Sequence, residues 1–220
     1  MNLELKKELP IIGIVMIPYV YLAFIWNSLP ERVPIHWNMN GQIDDWGSKA
    51  FLIVLVFLLP VLTYAIMSSA ALLDPKKRLS LMGKKFYQLK FFMVLFMSLL
   101  ALFLLYVTKN QSVSNPNLIY VLAGILIMVL GNYFKVIQPN YFIGIRTPWT
   151  LESQEVWKAT HVFAGKLWFV GGIIIILGGL IFSGFVFSKA FVTIGIVLAF
   201  VPVAYSFIKF KQLEKKQGKL

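Results

Sequence analysis

The chain has 220 residues, no cysteine and a formal net charge of +12, and 59% of its residues are hydrophobic. Soluble domains contain about 45–50% apolar residues, so this composition predicts an integral membrane protein. The missing cysteines exclude disulfides, thiolate metal sites and cysteine nucleophiles. The basic residues flank apolar runs and do not gather in a patch with aromatic residues, which argues against direct nucleic-acid binding.

Six apolar runs are candidates for membrane spans across a hydrocarbon core of about 30 Å. In chain order they cover about 9–26, 50–73, 89–107, 118–134, 163–187 and 190–207. The first follows Lys6 and Lys7, as in a signal peptide, but no small-residue cleavage site follows it, so we interpret it as a retained span. The predicted fold class is an all-α polytopic membrane protein, with residues 1–220 forming a single domain of six transmembrane helices.

The basic residues predict the orientation of these spans. Only four of the 21 lysines and arginines fall on one side of the membrane, namely Arg32, Lys49, Lys109 and Lys189. Because basic residues accumulate on the cytoplasmic side, both termini are predicted to be cytoplasmic. Residues 28–49 then form an extracytoplasmic loop, and residues 135–162 form a long cytoplasmic loop.

The first loop carries the pattern of a small β-hairpin. Apolar and polar residues alternate from residue 35 to 40 and lead into Asn40-Gly41, which is a strong turn signal. Trp37 and Trp46 are of the residue type that anchors at membrane interfaces, so the hairpin is predicted to lie on the outer surface. The candidate sensing residues of this loop are Pro34, His36, Trp37, Gly41, Asp44, Asp45 and Trp46.

The titratable residues indicate little catalytic chemistry. His36 with Asp44 and Asp45 forms either a weak cation site or a set of hydrogen-bonded loop residues. His161 is predicted on the opposite side of the membrane, so the two histidines cannot share a site. The nine acidic residues all lie outside the predicted spans, which argues against ion-coupled transport. No catalytic pattern, metal site or cofactor is predicted.

The interval from residue 132 to 168 is the longest that cannot be one apolar span. Pro139 and Pro148 forbid continuous helix, which predicts an ordered loop whose polar groups need partners. From Ser153, a plausible N-cap, three- and four-residue spacing predicts a short amphipathic helix that leads into the fifth span. The candidate functional residues of this interval are Asn132, Pro139, Asn140, Gly144, Arg146, Thr147, Pro148, Trp149, Trp157 and His161.

Arg146 is predicted to be the organising charge of this interval. It either pairs with Glu152 or Glu155 or extends to lipid phosphate, because an isolated charge is costly near a membrane. The surface around Trp149, Trp157 and His161 is predicted to face a cytoplasmic partner. In the fifth span, small residues recur along one face and predict close helix packing; they are Gly165, Gly172 and Gly179, with Gly171 and Gly178 beside them.

Two stretches resemble the bacterial SdpI family. They are GNYFKVIQPNYFIGIRTPWTLESQEVWKATHVFAGKLW, from Gly131, and LPERVPIHWNMNGQIDDWGSK, from Leu29 to Lys49. The resemblance implies a non-enzymatic immunity protein of the bacterial cytoplasmic membrane that protects against a membrane-active peptide toxin. It also implies capture of a cytoplasmic repressor when toxin is present. A transporter or exporter that lacks an intramembrane carboxylate remains the alternative.

Overall fold

The computed structural model describes residues 3–38, 42–111, 117–182 and 184–218. The chain is mostly helical and divides into two compact units, each of which is described by itself. The first unit comprises Met1–Ser69 and Tyr87–Pro116. The second comprises Ala70–Phe86 and Asn117–Leu220.

Long apolar helices dominate the described residues. In chain order the helices are α1 (Leu3–Ile25), α2 (Phe51–Val56), α3 (Leu62–Leu73), α4 (Arg78–Leu81), α5 (Lys84–Asn110), α6 (Leu118–Phe134), α7 (Pro148–Glu152), α8 (Gln154–Ile181) and α9 (Gly184–Lys216). A π-helical turn, Phe57–Val61, joins α2 to α3 and accommodates Pro60, whose ring does not fit a regular helix.

Five helical segments of the described residues are long and apolar enough to cross a membrane: α1, the α2–α3 segment, α5, α8 and α9. The chain is therefore a multi-pass helical membrane protein. The remaining apolar helix, α6, has 17 residues, which corresponds to about 25 Å at 1.5 Å per residue. Because α6 is short for a bilayer core, the sixth span remains a prediction.

The first unit packs a β-hairpin against helix ends. Strands β1 (Arg32–Trp37) and β2 (Ile43–Ser48) pair in antiparallel register, with Val33 opposite Gly47. Val33 is fully buried in an apolar cluster that α1, α2 and α5 also contribute to. The hairpin predicted from the alternating pattern is confirmed, and its base is part of the unit's core.

In the second unit, α6 and α8 pack antiparallel through glycines that recur every seven residues. A Cβ atom on Gly131 would lie 2.8 Å from the Gly165 carbonyl oxygen, and one on Gly124 would lie 2.8 Å from that of Gly172. Real Cβ atoms do not approach backbone atoms this closely, so only glycine permits the contact. The small-residue face predicted along α8 is confirmed.

A second glycine face of α8 receives side chains from α9. A Cβ atom on Gly171 would lie 2.7 Å from Leu198 Cδ2, and the Phe187 ring fills the space beside Gly178. Phe187 also meets Tyr120 of α6 edge-on, with 5.4 Å between the ring centroids. The helix α8 is thus in close contact with both α6 and α9.

Two predicted boundaries differ from the structure. The amphipathic segment expected as a short helix within the 135–162 loop is the beginning of α8, which runs unbroken from Gln154 to Ile181. The fifth span, predicted to reach residue 187, ends sooner because Phe182 is extended, and α9 begins at Gly184. Apolar residues continue on both sides of this corner, so hydropathy alone does not locate it.

The glycine contact predicts opposite effects for the same substitution at two glycines. Gly172→Ala places a Cβ atom 2.6 Å from the Met128 backbone nitrogen, so we expect it to destabilise the protein by about 1–3 kcal/mol. Gly195→Ala meets no atom within 4 Å and should be neutral or stabilising by up to about 1 kcal/mol, because alanine favours helix. Unfolding in mixed detergent micelles measures both. A Gly172→Ala protein as stable as Gly195→Ala would contradict the close contact.

Candidate functional site

The hairpin brings His36 and Asp44 together. His36 Nδ1 lies 2.6 Å from Asp44 Oδ1, and both side chains are exposed. Asp45 accepts a hydrogen bond from the Trp46 backbone N–H at 2.8 Å. Among the described residues there is no group of three or more histidine, cysteine or acidic side chains placed to hold a metal ion. These contacts favour hydrogen-bonded loop residues over the cation site.

The other candidate residues of the hairpin differ in exposure. Pro34 is buried, whereas Trp46 is 39% exposed. At the hairpin's base Lys49 forms an ion pair with Glu31 at 2.7 Å. Gly41 and the side chain of Trp37 lie outside the described residues.

Between α6 and α7, residues 135–147 form an irregular loop, as Pro139 and Pro148 predict. Side chains donate hydrogen bonds to its carbonyl groups in place of a helix ladder. The pairs are Trp157 Nε1 to Ile137 (2.8 Å), Asn140 Nδ2 to Gln138 (2.8 Å) and Ile143 (3.1 Å), Arg78 Nη1 to Pro139 (2.9 Å), Arg146 Nη1 to Tyr141, and Thr150 Oγ1 to Ile145 (2.9 Å). We call this set the carbonyl network.

Asn140 is the centre of the carbonyl network. Its side-chain oxygen accepts from the backbone N–H groups of Phe142 (2.8 Å) and Ile143 (2.7 Å), while its Nδ2 donates to two carbonyls. The residue is buried. A buried amide can satisfy donors and acceptors at once, which neither aspartate nor alanine can do. The sequence prediction that Asn140 provides partners for the loop is confirmed.

His161 fixes the end of the loop from α8. The Ile145 backbone N–H donates to its Nε2 at 3.0 Å, and its Nδ1 lies 2.8 Å from the Trp157 carbonyl oxygen. This pair of contacts requires a neutral ring with the proton on Nδ1. Gly144, with φ +107°, passes so close to the imidazole that a Cβ atom would overlap Nε2. Glycine is therefore needed here for its backbone angle and for space.

Thr147 and Thr150 start α7 with a reciprocal cap. The Thr147 backbone N–H donates to Thr150 Oγ1 at 2.9 Å, and the Thr150 N–H donates to Thr147 Oγ1 at 3.2 Å. Pro148 occupies the first helical turn, where its missing N–H has no cost. Trp149 then donates its indole N–H to Ser206 Oγ and joins this short helix to α9.

Trp168 donates a hydrogen bond to a backbone carbonyl that Pro202 leaves without its helical donor. A proline has no N–H, so the carbonyl four residues earlier, that of Leu198, loses its helical donor. Trp168 Nε1 donates to that carbonyl at 2.9 Å. In a membrane, where no water replaces the lost bond, this contact satisfies the interrupted helix. The pairing was not predicted, although Pro202 marked the carbonyl that needs a donor.

The expectations for three candidate residues are corrected. Arg146 forms no ion pair with Glu152 or Glu155 in the described structure; its guanidinium bonds to the Tyr141 carbonyl instead. Trp157 and His161 do not face a partner, because both are 1% exposed and stack on each other at 4.1 Å between ring centroids.

Two other candidates also differ from their expected roles. Trp149 is half-buried against Ser206 and Phe207, so it contributes little to an exposed surface. Asn132, expected to supply a hydrogen bond to the loop, is exposed on α6 and is not part of the carbonyl network.

The first unit contains an ion pair between α1 and α5 that the predicted span boundaries did not anticipate. Glu8 lies within α1, and its Oε1 pairs with Lys90 Nζ of α5 at 2.7 Å. The side chain of Lys90 is 9% exposed, and its ammonium also lies 5.3 Å from the centre of the Tyr64 ring. The apolar run began only at residue 9, but the helix begins earlier. Glu8 thus lies one residue before the span predicted from 9 to 26, but inside the longer apolar helix Lys6–Ser28.

The fold defines a multi-pass helical membrane protein with a two-stranded hairpin. Residues 136–207, which start inside the 135–147 loop, match the SdpI/YfhL protein family, and residues 13–63, which contain the hairpin, match a domain of unknown function, DUF1648. The chain is 30% identical over 173 residues to "Immunity protein SdpI" of Bacillus subtilis (strain 168), covering 78% of this chain and 80% of that protein. No solved structure matches it. The chain belongs to the SdpI family.

The contact between Trp168 and Leu198 is testable by a double-mutant cycle. Trp168→Phe should destabilise the parent by about 1–3 kcal/mol, because a buried carbonyl loses its donor. In a Pro202→Ala protein, residue 202 regains an N–H, so the same substitution should cost about 1 kcal/mol less. Unfolding of the four proteins in detergent gives the coupling energy, in which the packing lost with the indole cancels. An equal cost in both backgrounds would show that the indole contributes packing alone.

Proposed function

We propose that this protein is a membrane immunity protein that protects a bacterial cell against a membrane-active peptide toxin. The observation that carries the proposal is the similarity to Immunity protein SdpI along most of both chains. The matched regions include the hairpin and the 135–147 loop. SdpI is not known as an enzyme family. The hydrogen bonds of the carbonyl network hold the backbone of the loop in place and do not resemble a catalytic site.

In the proposed topology, six spans cross the cytoplasmic membrane, α6 is the fourth of them, and both termini are cytoplasmic. The distribution of lysine and arginine supports this arrangement. The hairpin is then on the outer side, where an amphipathic toxin reaches the membrane first. Its exposed face offers Trp46 together with the His36–Asp44 pair, which suits a peptide with apolar and charged groups.

The topology is testable because the chain has no cysteine of its own. We expect Ser48→Cys, in the hairpin, to react with a membrane-impermeant maleimide in intact cells. Glu152→Cys, at the end of α7, should react only after permeabilisation. Both positions are exposed, so access to the reagent depends on the side of the membrane. The reverse labelling pattern would exclude this orientation and the outward hairpin with it.

A cytoplasmic partner, in this proposal a repressor protein, would contact the 135–147 loop through its exposed side chains. Tyr141 is 49% exposed, Phe142 is 36% exposed, and Arg146 is exposed beside them. Aromatic residues and arginine are the types that dominate the energy of protein interfaces. This surface replaces the buried Trp157 and His161 as the proposed docking face.

The immunity proposal is tested in a Bacillus subtilis strain that lacks its own SdpI and is exposed to medium from the toxin-producing parent. We expect the present chain to restore survival. The hairpin variant His36→Ala/Asp44→Asn/Asp45→Asn should lower it at equal membrane abundance, because it removes the polar groups on the exposed face. Glu31→Gln, which changes an exposed charge at the hairpin's base, is the matched control and should protect fully.

Two outcomes contradict parts of this proposal separately. If the unaltered chain gives no survival although it is present in the membrane, it does not provide immunity against this toxin. If the triple variant protects as well as Glu31→Gln, the hairpin is only a connector.

Transport of a peptide or small molecule is the second candidate, and the Glu8–Lys90 pair favours it. Ionisable residues within spanning helices often mark transport pathways, and in this pair Lys90 is buried while Glu8 is partly buried. The Tyr64 ring also lies 5.3 Å from the Lys90 ammonium, so the pair has an aromatic neighbour in the same unit. Cells loaded with labelled toxin distinguish the two functions: an exporter accelerates its release, whereas an immunity protein that acts by binding retains it at the membrane.

A further inference from the structure

A groove runs along the contact between α6 and α8, next to Lys135, at which the 135–147 loop begins. It has a volume of about 480 Å³, and mainly apolar side chains line it. Val162 and Val170 of α8 line its wall and are 39% and 53% exposed. Asn132, Lys135 and Lys166 also line the groove. The site is therefore an apolar groove whose lining residues include two lysines and one asparagine.

The position of Lys166 is unusual for a charged residue. It is exposed on a spanning helix, within one turn of the exposed apolar residues Val162, Phe169 and Val170. Within the described part of the chain it forms no ion pair with a carboxylate. An ammonium group on a lipid-facing surface requires an anion or a route to the interface.

The register of the two helices shows how deep this lysine lies. Gly131 contacts Gly165, and the helices are antiparallel. Lys135 is four residues beyond Gly131, and Lys166 is one residue beyond Gly165 in the opposite direction. At 1.5 Å per residue, Lys166 lies about 7 Å deeper than Lys135 along the helix axes. One anionic group between them would be attracted by both ammonium groups.

We propose that this groove binds one anionic phospholipid. Its phosphate contacts Lys135 and Lys166, Asn132 donates to an ester or phosphate oxygen, and an acyl chain lies against Val162 and Val170. This site goes beyond immunity and is independent of it. A lipid fits better than a protein helix, because the groove opens on the surface that faces hydrocarbon. Basic pockets beside membrane helices are suited to anionic headgroups.

Native mass spectrometry of the full-length protein in detergent tests the site with three probes. These are phosphatidylglycerol, phosphatidylcholine and glycerophosphoglycerol, which has the anionic headgroup without chains. We expect one phosphatidylglycerol to bind at least about tenfold more tightly than phosphatidylcholine. Lys135→Gln/Lys166→Gln should weaken phosphatidylglycerol about 25-fold, or about fivefold for each lysine.

Matched variants separate the groove from general charge and from misfolding. Lys109→Gln/Lys189→Gln removes two exposed lysines that do not line the groove, and should change binding by less than about twofold. Lys135→Arg/Lys166→Arg keeps both charges and should retain binding. Val170→Trp fills the groove and should weaken both lipids, whereas Val186→Trp, at an exposed position of α9, should not.

Three results would overturn the proposal, and a fourth would exclude its acyl-chain contact. The first is equal binding of the two lipids, which excludes recognition of the phosphate charge. The second is an equal loss in the two lysine-to-glutamine pairs, which indicates general surface attraction. The third is binding of glycerophosphoglycerol as tight as that of phosphatidylglycerol, which defines a free-anion site rather than a lipid site. A Val170→Trp protein that binds normally would exclude the acyl chain from the groove.

Discussion

The structure of the second unit depends on one constraint: an irregular backbone at a membrane must find its hydrogen bonds inside the protein. Residues 135–147 meet it with side chains, since indole, amide, guanidinium and hydroxyl groups donate to the carbonyls of the loop. The same constraint explains why Trp168 donates to the Leu198 carbonyl beside Pro202. Trp149 and Trp157 also use their indole N–H groups for internal contacts. Tryptophan here is a hydrogen-bond donor with a large apolar body, which suits a site that is both buried and polar.

The glycine contact between α6 and α8 is what brings these donors into range. Gly131 and Gly165 lie at the end of the contact nearest the loop, one turn from Phe134 and His161 respectively. Phe134 packs edge-on against His161, with 5.8 Å between ring centroids. A wider helix separation would move α8 away from the loop that follows α6. The Ile137 carbonyl would then lose its donor Trp157, and the Ile145 N–H would lose its acceptor His161. The ordering of the loop therefore depends on the close packing of α6 and α8.

The sequence allowed the helices, the hairpin, the small face of α8 and the ordered loop to be predicted, because each depends on local residue types or on periodicity. The partner of an individual side chain could not be predicted from the sequence. Arg146 was expected either to pair with Glu152 or Glu155 or to extend to lipid phosphate, yet its guanidinium bonds to the Tyr141 carbonyl. Glu8 and Lys90 are 82 residues apart, so only the packing of α1 against α5 shows that they pair. Burial reversed the expectation for Trp157 and His161, because an amphipathic pattern does not indicate whether its aromatic face meets a partner or the protein's own loop.

The carbonyl network also limits how a signal can pass through this loop. A second arrangement of the backbone would have to break several of these hydrogen bonds together, and each buried group left unsatisfied costs about 1–3 kcal/mol. A ligand can shift an equilibrium only by its difference in affinity between the two states. Moving a population from 1:99 to 99:1 already requires about 5.5 kcal/mol. In the proposed sensing role, a toxin that acts on the spans would tilt α8, with the loop as a rigid attachment, rather than unfold the loop. In that mechanism Tyr141, Phe142 and Arg146 change position without changing conformation, and a partner would detect the displacement of an intact surface.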